Sequence, residues 1–527
     1  MTIGCPMFHR TLVFWTMLAL FGLASCQQLT PPGPRSNGGQ TGSSTTSQTG
    51  GAVAGTSSSA SGGTGSGGQT SSSGGFLLGG GGSGGGISAS GGTRSSGGSA
   101  SSSSGGSTGA SSATVADASV PDVADTLPPP SRGPTPAQTG LKFPFPQNRE
   151  NSRCVCPKAY RNEDVQAAYD QWKTDTVTSN GAKGFRRVRR PHEPGTLEAD
   201  STVSEGIAYG MLIAVYMGDQ ALFDDLWNYE QQFLDGKTGL MNWNIKADGS
   251  GPTSGGNGPA TDADEDMAYA LVMADKQWAG AQNKVGKSYL DLAKDTITKI
   301  WNNEIVDYKY VRSWPGADSS TINLSYFAPS YYKLFAKIDT KNTTNWNNTV
   351  DAMYTVLNAS LNASNGNADN GLVPAWCDSG GKPNGGAFGP GQGPSPTNYQ
   401  YDSCRIPFRI GLDWCMNGEA RAQTYVAKTS KFFNGITVAK MVDGYDLNGT
   451  PHAQYQTGAD VLTQSSAFIG PAGVGAMSNA SYQTFVNDAY AVLAGGKALV
   501  GGTYYEDSWM VLSLLMMTGN FLDYTTY

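Results

Sequence analysis

Residues 27 to about 135 are almost wholly Ser, Gly, Thr and Ala, with hardly a charge and few large apolar side chains. Such a tract cannot bury enough apolar surface to offset the conformational entropy lost on ordering, so it is expected to be a disordered tether. Whatever folds must come from residues 141 to 527, which carry nearly all the aromatic and charged side chains and are ample for one large core.

Ahead of the tether, His9 and Arg10 precede an apolar run from Leu12 that ends Leu23-Ala24-Ser25-Cys26. The run is shorter than the ~20 residues needed to span a bilayer, and reads as a secretory signal with a lipobox. It resembles bacterial lipoprotein signals, which are cleaved before the Cys and acylated on it. That resemblance implies Cys26 as a lipid anchor and an exported protein held at a membrane, in the periplasm or at the cell surface. An ordinary signal peptide with an incidental Cys26 is the alternative. The expected organisation is a signal over 1–26, a Ser/Gly-rich linker over 27–140 and a folded domain over 141–527.

Removal of the signal leaves Cys26 and five further cysteines: Cys154, Cys156, Cys377, Cys404 and Cys415. Disulfides are permitted in an exported protein, and an odd number leaves at least one thiol. The chain has only 3 histidines and no His-Glu-x-x-His, and the Cys-x-Cys at 154–156 lacks partners at zinc-finger spacing. Neither a metal nor a cofactor is expected. The formal net charge of −7 speaks against nucleic acid or an acidic polysaccharide as partner.

Within the folded part, Asp262, Asp264, Glu265 and Asp266 crowd one helical turn, and Met267, Leu271, Ala274 and Trp278 follow at helical spacing. Asp262 with Glu265 reads as a capping box, which accounts for one or two of the four acids. The remainder predicts a buried helix whose acidic mouth opens on something polar, suited to acid/base work on a neutral substrate.

Ala260-Thr261-Asp262-Ala263-Asp264 followed by an apolar helix ending in Trp278 resembles the signature of glycoside hydrolase family 8. The likeness extends to Ser204-Glu205-Gly206 with Tyr209-Gly210-Met211-Leu212, and to Leu240-Met241-Asn242-Trp243. Downstream it takes in Tyr401-Asp402-Ser403-Cys404-Arg405-Ile406-Pro407 and Tyr504-Tyr505 with Ser508, covering roughly 145 to 523. It implies an all-α fold, an (α/α)6 barrel. Apolar periodicity read with that family in mind gives helices near 162–175, 204–217, 219–234, 262–279, 286–304, 328–337, 344–361, 401–416, 418–434, 466–478, 480–494 and 505–519. Even-numbered helices are richer in apolar and small residues, as an inner ring requires. Glu205, Asp262, Tyr326, Asp402 and Tyr505 fall at or near their starts. The long connection 366–400 is expected to carry function.

Hydrolysis of a glycosidic bond needs a proton for the leaving oxygen and, when it proceeds with inversion, a second carboxylate to activate water. Glu205, heading a helix of small and apolar residues, is the expected general acid, since burial would keep it protonated. The resemblance assigns the base to Asp402. Arg405, three residues on, can pair with that carboxylate, and Tyr401 can hydrogen-bond in the groove. Asp262 is expected to grip the sugar at the cleavage point, with Asp264 as the alternative. Trp243 is the foremost stacking platform, followed by Trp314, Trp376, Tyr326 and Tyr505, while Trp227, Trp278 and Trp509 are assigned to the core. The resemblance implies a monomeric, inverting endo-β-1,4-glycanase acting on cellulose or mixed-linkage β-glucan. Xylan is the alternative substrate, and a non-catalytic glycan-capturing lipoprotein the rival from another class.

Overall fold

A computed structural model describes residues 140–191, 199–283, 286–385, 396–452, 464–495 and 504–527. The signal, Cys26 and the Ser/Gly tract lie outside the described residues, as does the Gly/Pro-rich run 386–395.

Twelve helices make up the described fold: α1 (Asn162–Thr176), α2 (Ser204–Met217), α3 (Gln220–Glu230), α4 (Thr261–Gln277), α5 (Tyr289–Glu304) and α6 (Pro329–Ile338), then α7 (Thr343–Ala359), α8 (Ile406–Asn417), α9 (Ala420–Ile436), α10 (Ser466–Ala476), α11 (Gln483–Ala494) and α12 (Tyr504–Met517). The even-numbered helices touch in sequence, α2 to α4 and on through α6, α8 and α10 to α12, and α12 returns to α2. The inner ring is therefore closed. Each inner helix packs on its own outer partner, with α1 backing α12, which makes the expected (α/α)6 barrel.

Inner helices are buried nearly all round, and their small residues set how closely they approach. A Cβ built on Gly210 in α2 would lie 2.7 Å from the Leu226 side chain and 3.0 Å from that of Val188, so any larger residue would force those side chains to shift. Outer helices show the usual single buried stripe. In α5 it is Leu292, Ala293, Thr296, Ile297 and Ile300. Trp227, Trp278 and Trp509 are core residues, as expected.

Helix starts depart from the sequence reading where local chemistry intervenes. Ser288 caps α5 by accepting from Asp291 N at 3.1 Å, and so delays it to Tyr289. The helix expected from residue 401 begins at Ile406, because a 3-10 turn over Ser403–Arg405 precedes it and Pro407 is suited only to a first turn. The Asp262–Glu265 capping box is not formed. Ala260 occupies the cap position of α4, and Asp262, already inside the helix, turns its carboxylate elsewhere.

Four two-stranded antiparallel ladders brace the connections: β1 (Val177–Thr178) with β2 (Arg187–Val188), β3 (Thr202–Val203) with β4 (Asn244–Ile245), β5 (Ile305–Val306) with β6 (Tyr310–Val311), and β7 (Ile322–Asn323) with β8 (Trp376–Cys377). In the last, Asn323 pairs with Trp376, which brings part of the long 366–400 connection to the barrel mouth. A disulfide joins Cys154 to Cys415 near the end of α8, and the buried Cys377 and Cys404 remain thiols.

Candidate active site

Antiparallel hairpins put all inner-helix N-termini at one end. Glu205 and Asp262 are the second residues of α2 and α4, Asp402 precedes the turn into α8, and Tyr504 opens α12. Together with Arg190, Ser204, Trp243, Tyr326 and Arg405 they line a cavity of about 190 Å³.

Arg405 organises this cavity. Its Nη1 donates to Glu205 Oε1, to Asp262 Oδ2 at 2.7 Å and to Tyr209 Oη at 3.1 Å, while Nη2 reaches Asp402 Oδ1 at 3.3 Å. The expected pairing with Asp402 is present, yet the closer partners are Glu205 and Asp262, 200 and 143 residues distant in sequence. The guanidinium also stands 5.4 Å from the Tyr326 ring centroid, in cation–π range. The planar fork of five donors lets this one side chain serve three carboxylates through two separate nitrogens.

The three carboxylates have graded access to solvent. The side chain of Asp402 is 33% exposed, that of Glu205 16% and that of Asp262 4%. Burial is the largest influence on Glu205 and, with Asp262 adding to it, pushes its carboxyl up to about 7 against the pull of Arg405 and the hydroxyls of Tyr504 and Tyr209. Tyr209 donates to Oε1 at 2.8 Å and Tyr504 to Oε2 at 2.7 Å. Asp402 Oδ2 accepts from Trp376 Nε1 at 3.0 Å and Gln400 Nε2 at 3.1 Å.

Of the four acids at the head of α4, only Asp262 lines the cavity. A helix turns about 100° per residue, so consecutive carboxylates diverge. Asp266 is chelated by Arg409 at 2.5 and 2.9 Å, and Glu265 lies 3.5 Å from the same guanidinium. Asp264 meets Glu304 at the end of α5; burial raises both carboxyls, Glu304 to about 8, with Glu304 pushing Asp264 up further while the hydrogen bond from Asp264 pulls Glu304 down. The expectation of a mouth holding several of these acids is corrected: three of them are internal. Among the described residues, no group of three His, Cys, Asp or Glu is arranged to hold a metal ion.

The aromatic expectations divide in the same way. Trp243 is 37% exposed on the cavity wall, with its indole N–H fixed on Gly255 O at 2.8 Å. Tyr326 also lines the cavity. Trp376 is buried and spends its N–H on Asp402, so it positions that carboxylate and offers no open face to a sugar. Tyr505 donates to Tyr401 O at 2.6 Å, and Tyr401 to Asp443 Oδ2 at 3.2 Å; neither lines the cavity. Its place is taken by Tyr504. Sequence reasoning also gave no role in the site to Tyr209, Gln400 or Arg190. Tyr209 carried a usable signal, being four residues from Glu205 on one helical face.

The family model for Glycosyl hydrolases family 8 matches residues 154–519. Endoglucanase C of Ruminiclostridium cellulolyticum is 33% identical over 394 residues, covering 73% of this chain and 78% of its own. Endoglucanase A of Acetivibrio thermocellus is 35% identical over 364 residues, covering 68% and 69%. Among solved structures, the apo β-1,3-1,4-glucanase of Paenibacillus sp. X4 superposes with a TM-score of 0.63 at 29% identity, over 72% of this chain and 99% of that one. A helical barrel closed on itself, a mouth of carboxylates and this match along the domain lead to one assignment: the chain is a glycoside hydrolase and belongs to glycosyl hydrolases family 8.

Proposed function

We propose that the chain is an inverting endo-β-1,4-glucanase acting on cellulose or mixed-linkage β-glucan, with Glu205 as general acid, Asp402 as general base and Asp262 holding the sugar at the cleavage point. The observation that carries this reading is the single guanidinium of Arg405 holding three carboxylates of graded exposure beside an exposed tryptophan. An acid must be desolvated enough to keep its proton, and a base must reach water. Glu205 and Asp402 match those demands respectively. Oε1 of Glu205 is occupied by Arg405 and Tyr209, which leaves Oε2, beside Tyr504, as the oxygen to carry the proton. Asp262, almost wholly buried at the cavity floor, suits a hydrogen bond to a sugar hydroxyl that strengthens as positive charge develops on the ring. The endoglucanase relatives support glucan as the chain cleaved. All three carboxylates come from one chain, which supports a monomer.

Reducing-end release should be measured on carboxymethylcellulose, mixed-linkage β-glucan, xylan and chitosan, and the first product's anomeric form followed by proton NMR. Glucan cleavage with the α-anomer formed first is expected. Cleavage of xylan alone would reassign the substrate, a first-formed β-anomer would end the inverting mechanism, and binding without cleavage would establish a capture protein. Trp243→Ala should weaken binding of long oligosaccharides by on the order of five-fold, about 1 kcal/mol of lost stacking, with kcat little changed.

We further infer that residues 1–26 direct export, that Cys26 is the lipid anchor at a membrane in the periplasm or at the cell surface, and that 27–140 tether the catalytic domain of 141–527. The lipobox and the tract's composition support this. Packing of Phe143 on Tyr524, 4.2 Å between ring centroids, supports a domain start near residue 141. In cells, Cys26→Ser should move the protein out of the membrane fraction, and a chain beginning at residue 140 should keep its kcat on soluble substrate. Unchanged fractionation would discredit the anchor, and a large fall in kcat the tether.

A further inference from the structure

The outer wall of the barrel carries a second concave surface. Between α5 and the turn joining α6 to α7 lies a groove of about 400 Å³ whose lining includes Thr298, Trp301, Asn302, Lys341 and Asn342. That volume is within the range of small-ligand sites. Trp301 is half-buried and rests on buried Trp346, centroids 4.8 Å apart. Next to it, nearly parallel at 17° and 5.8 Å away, is the ring of Tyr308. Among the described residues, Tyr308 is one of three exposed large hydrophobic side chains, and another of them, Trp243, is in the catalytic cavity.

Tyr308 is held there against local preference. It sits in the tight turn between β5 and β6, closed by Lys309 N donating to Val306 O at 2.8 Å, and both Asp307 and Tyr308 have positive φ, 48° and 60°. Hairpin turns with two central residues of positive φ favour Asn-Gly or Asp-Gly. Asp307 conforms, but a bulky aromatic stands where glycine is wanted, and backbone outliers of this kind gather at functional positions.

We infer that Trp301 and Tyr308 form a platform, separate from the catalytic cavity, on which a neutral β-1,4-linked glycan chain lies. Tyr308 is stacked on Trp301 and, at 42% exposure, is open to solvent as a surface for a sugar ring, while the hydroxyl, amide and ammonium groups of Thr298, Asn302, Asn342 and Lys341 line the groove beside Trp301 with partners for sugar hydroxyls. The proposal rests on the glycanase reading for its ligand. Glu304, in the last turn of α5, meets Asp264 in the first turn of α4, so the Trp301 end of α5 points toward the barrel end that bears the catalytic carboxylates. A polysaccharide held on the platform is kept on the enzyme's surface, and effective concentration replaces repeated capture from solution.

Tyr308→Gly is the decisive variant, because glycine suits the turn and should leave thermal stability equal or higher while removing the ring. Trp301→Ala serves as a second. Each is made in the full-length chain, once in the wild-type background for kinetics and once with Glu205→Gln to prevent digestion during affinity electrophoresis through gels containing mixed-linkage β-glucan or xylan. Both variants should be retarded less by the polysaccharide that the wild type cleaves, by on the order of five-fold in apparent affinity, with kcat/KM on a short cello-oligosaccharide unchanged. Equal retardation of an active wild type and a folded Tyr308→Gly overturns the platform alone. A wild type that cleaves neither of these nor carboxymethylcellulose overturns the glycanase reading and the assigned ligand with it.

Discussion

Asp402→Asn is expected to lower kcat by about 10²–10⁴-fold with little change in oligosaccharide affinity, the scale for removing a general base that leaves the binding surfaces in place. The amide retains the shape of the side chain, and Trp376, Gln400 and Arg405 still fix its orientation. Only the ability to take a proton from water is lost. The pH profile of the wild type should show the complementary limb. Glu205, with its carboxyl pushed up to about 7 chiefly by burial, is protonated below that value, so activity should decline as pH rises through it. A kcat for Asp402→Asn within a few-fold of wild type would reject Asp402 as base, and an alkaline limb absent up to pH 9 would reject Glu205 as acid.

Arg405→Met should be the most damaging substitution for stability. Removing one partner of a buried ionic network leaves uncompensated charge, at about 3–5 kcal/mol, and here three carboxylates lose their common cation. The deficit should depend on pH in a defined direction. The Glu205 carboxyl is already raised above its ordinary 4.5, so its contribution falls as pH rises from there, and loss of Arg405 raises it further. Urea unfolding should therefore show the smallest gap between variant and wild type near pH 4.5 and the largest above pH 7. A gap that is constant across that window would mean that Arg405 acts through packing. Arg405→Lys should recover part of the stability, since a single ammonium cannot reach partners on both Nη1 and Nη2.

The helices were legible in the sequence because inner elements such as α2 and α10 are apolar on every side, whereas outer ones such as α5 alternate, and the closed ring came with the family resemblance. The three principal carboxylates were legible through their motifs. What escaped was direction. Whether Asp262 or Asp264 enters the cavity depends on how α4 is rotated against α2 and α5, and whether Tyr504 or Tyr505 does depends on how α12 closes against α2; neither is encoded in spacing. Trp376 and Gln400 reach Asp402 only through loop geometry, and the span of Arg405 across to Glu205 and Asp262 is a tertiary fact with no local trace. Pro407 and Ser288 did carry readable local signals, and each moves a helix start in the direction its chemistry dictates.

Closure of the ring has a consequence for how the protein comes into being. α2, which carries Glu205, finds its last inner neighbour only in α12, and Tyr504 is 299 residues from the carboxylate it touches. A nascent chain that has released α2 through α10 holds every carboxylate of the site and still has a gap in its wall where α12 belongs. Glu205 is then open to water on that side, without the burial that keeps its proton. A working mouth is therefore expected only late in synthesis, once the twelfth helix docks.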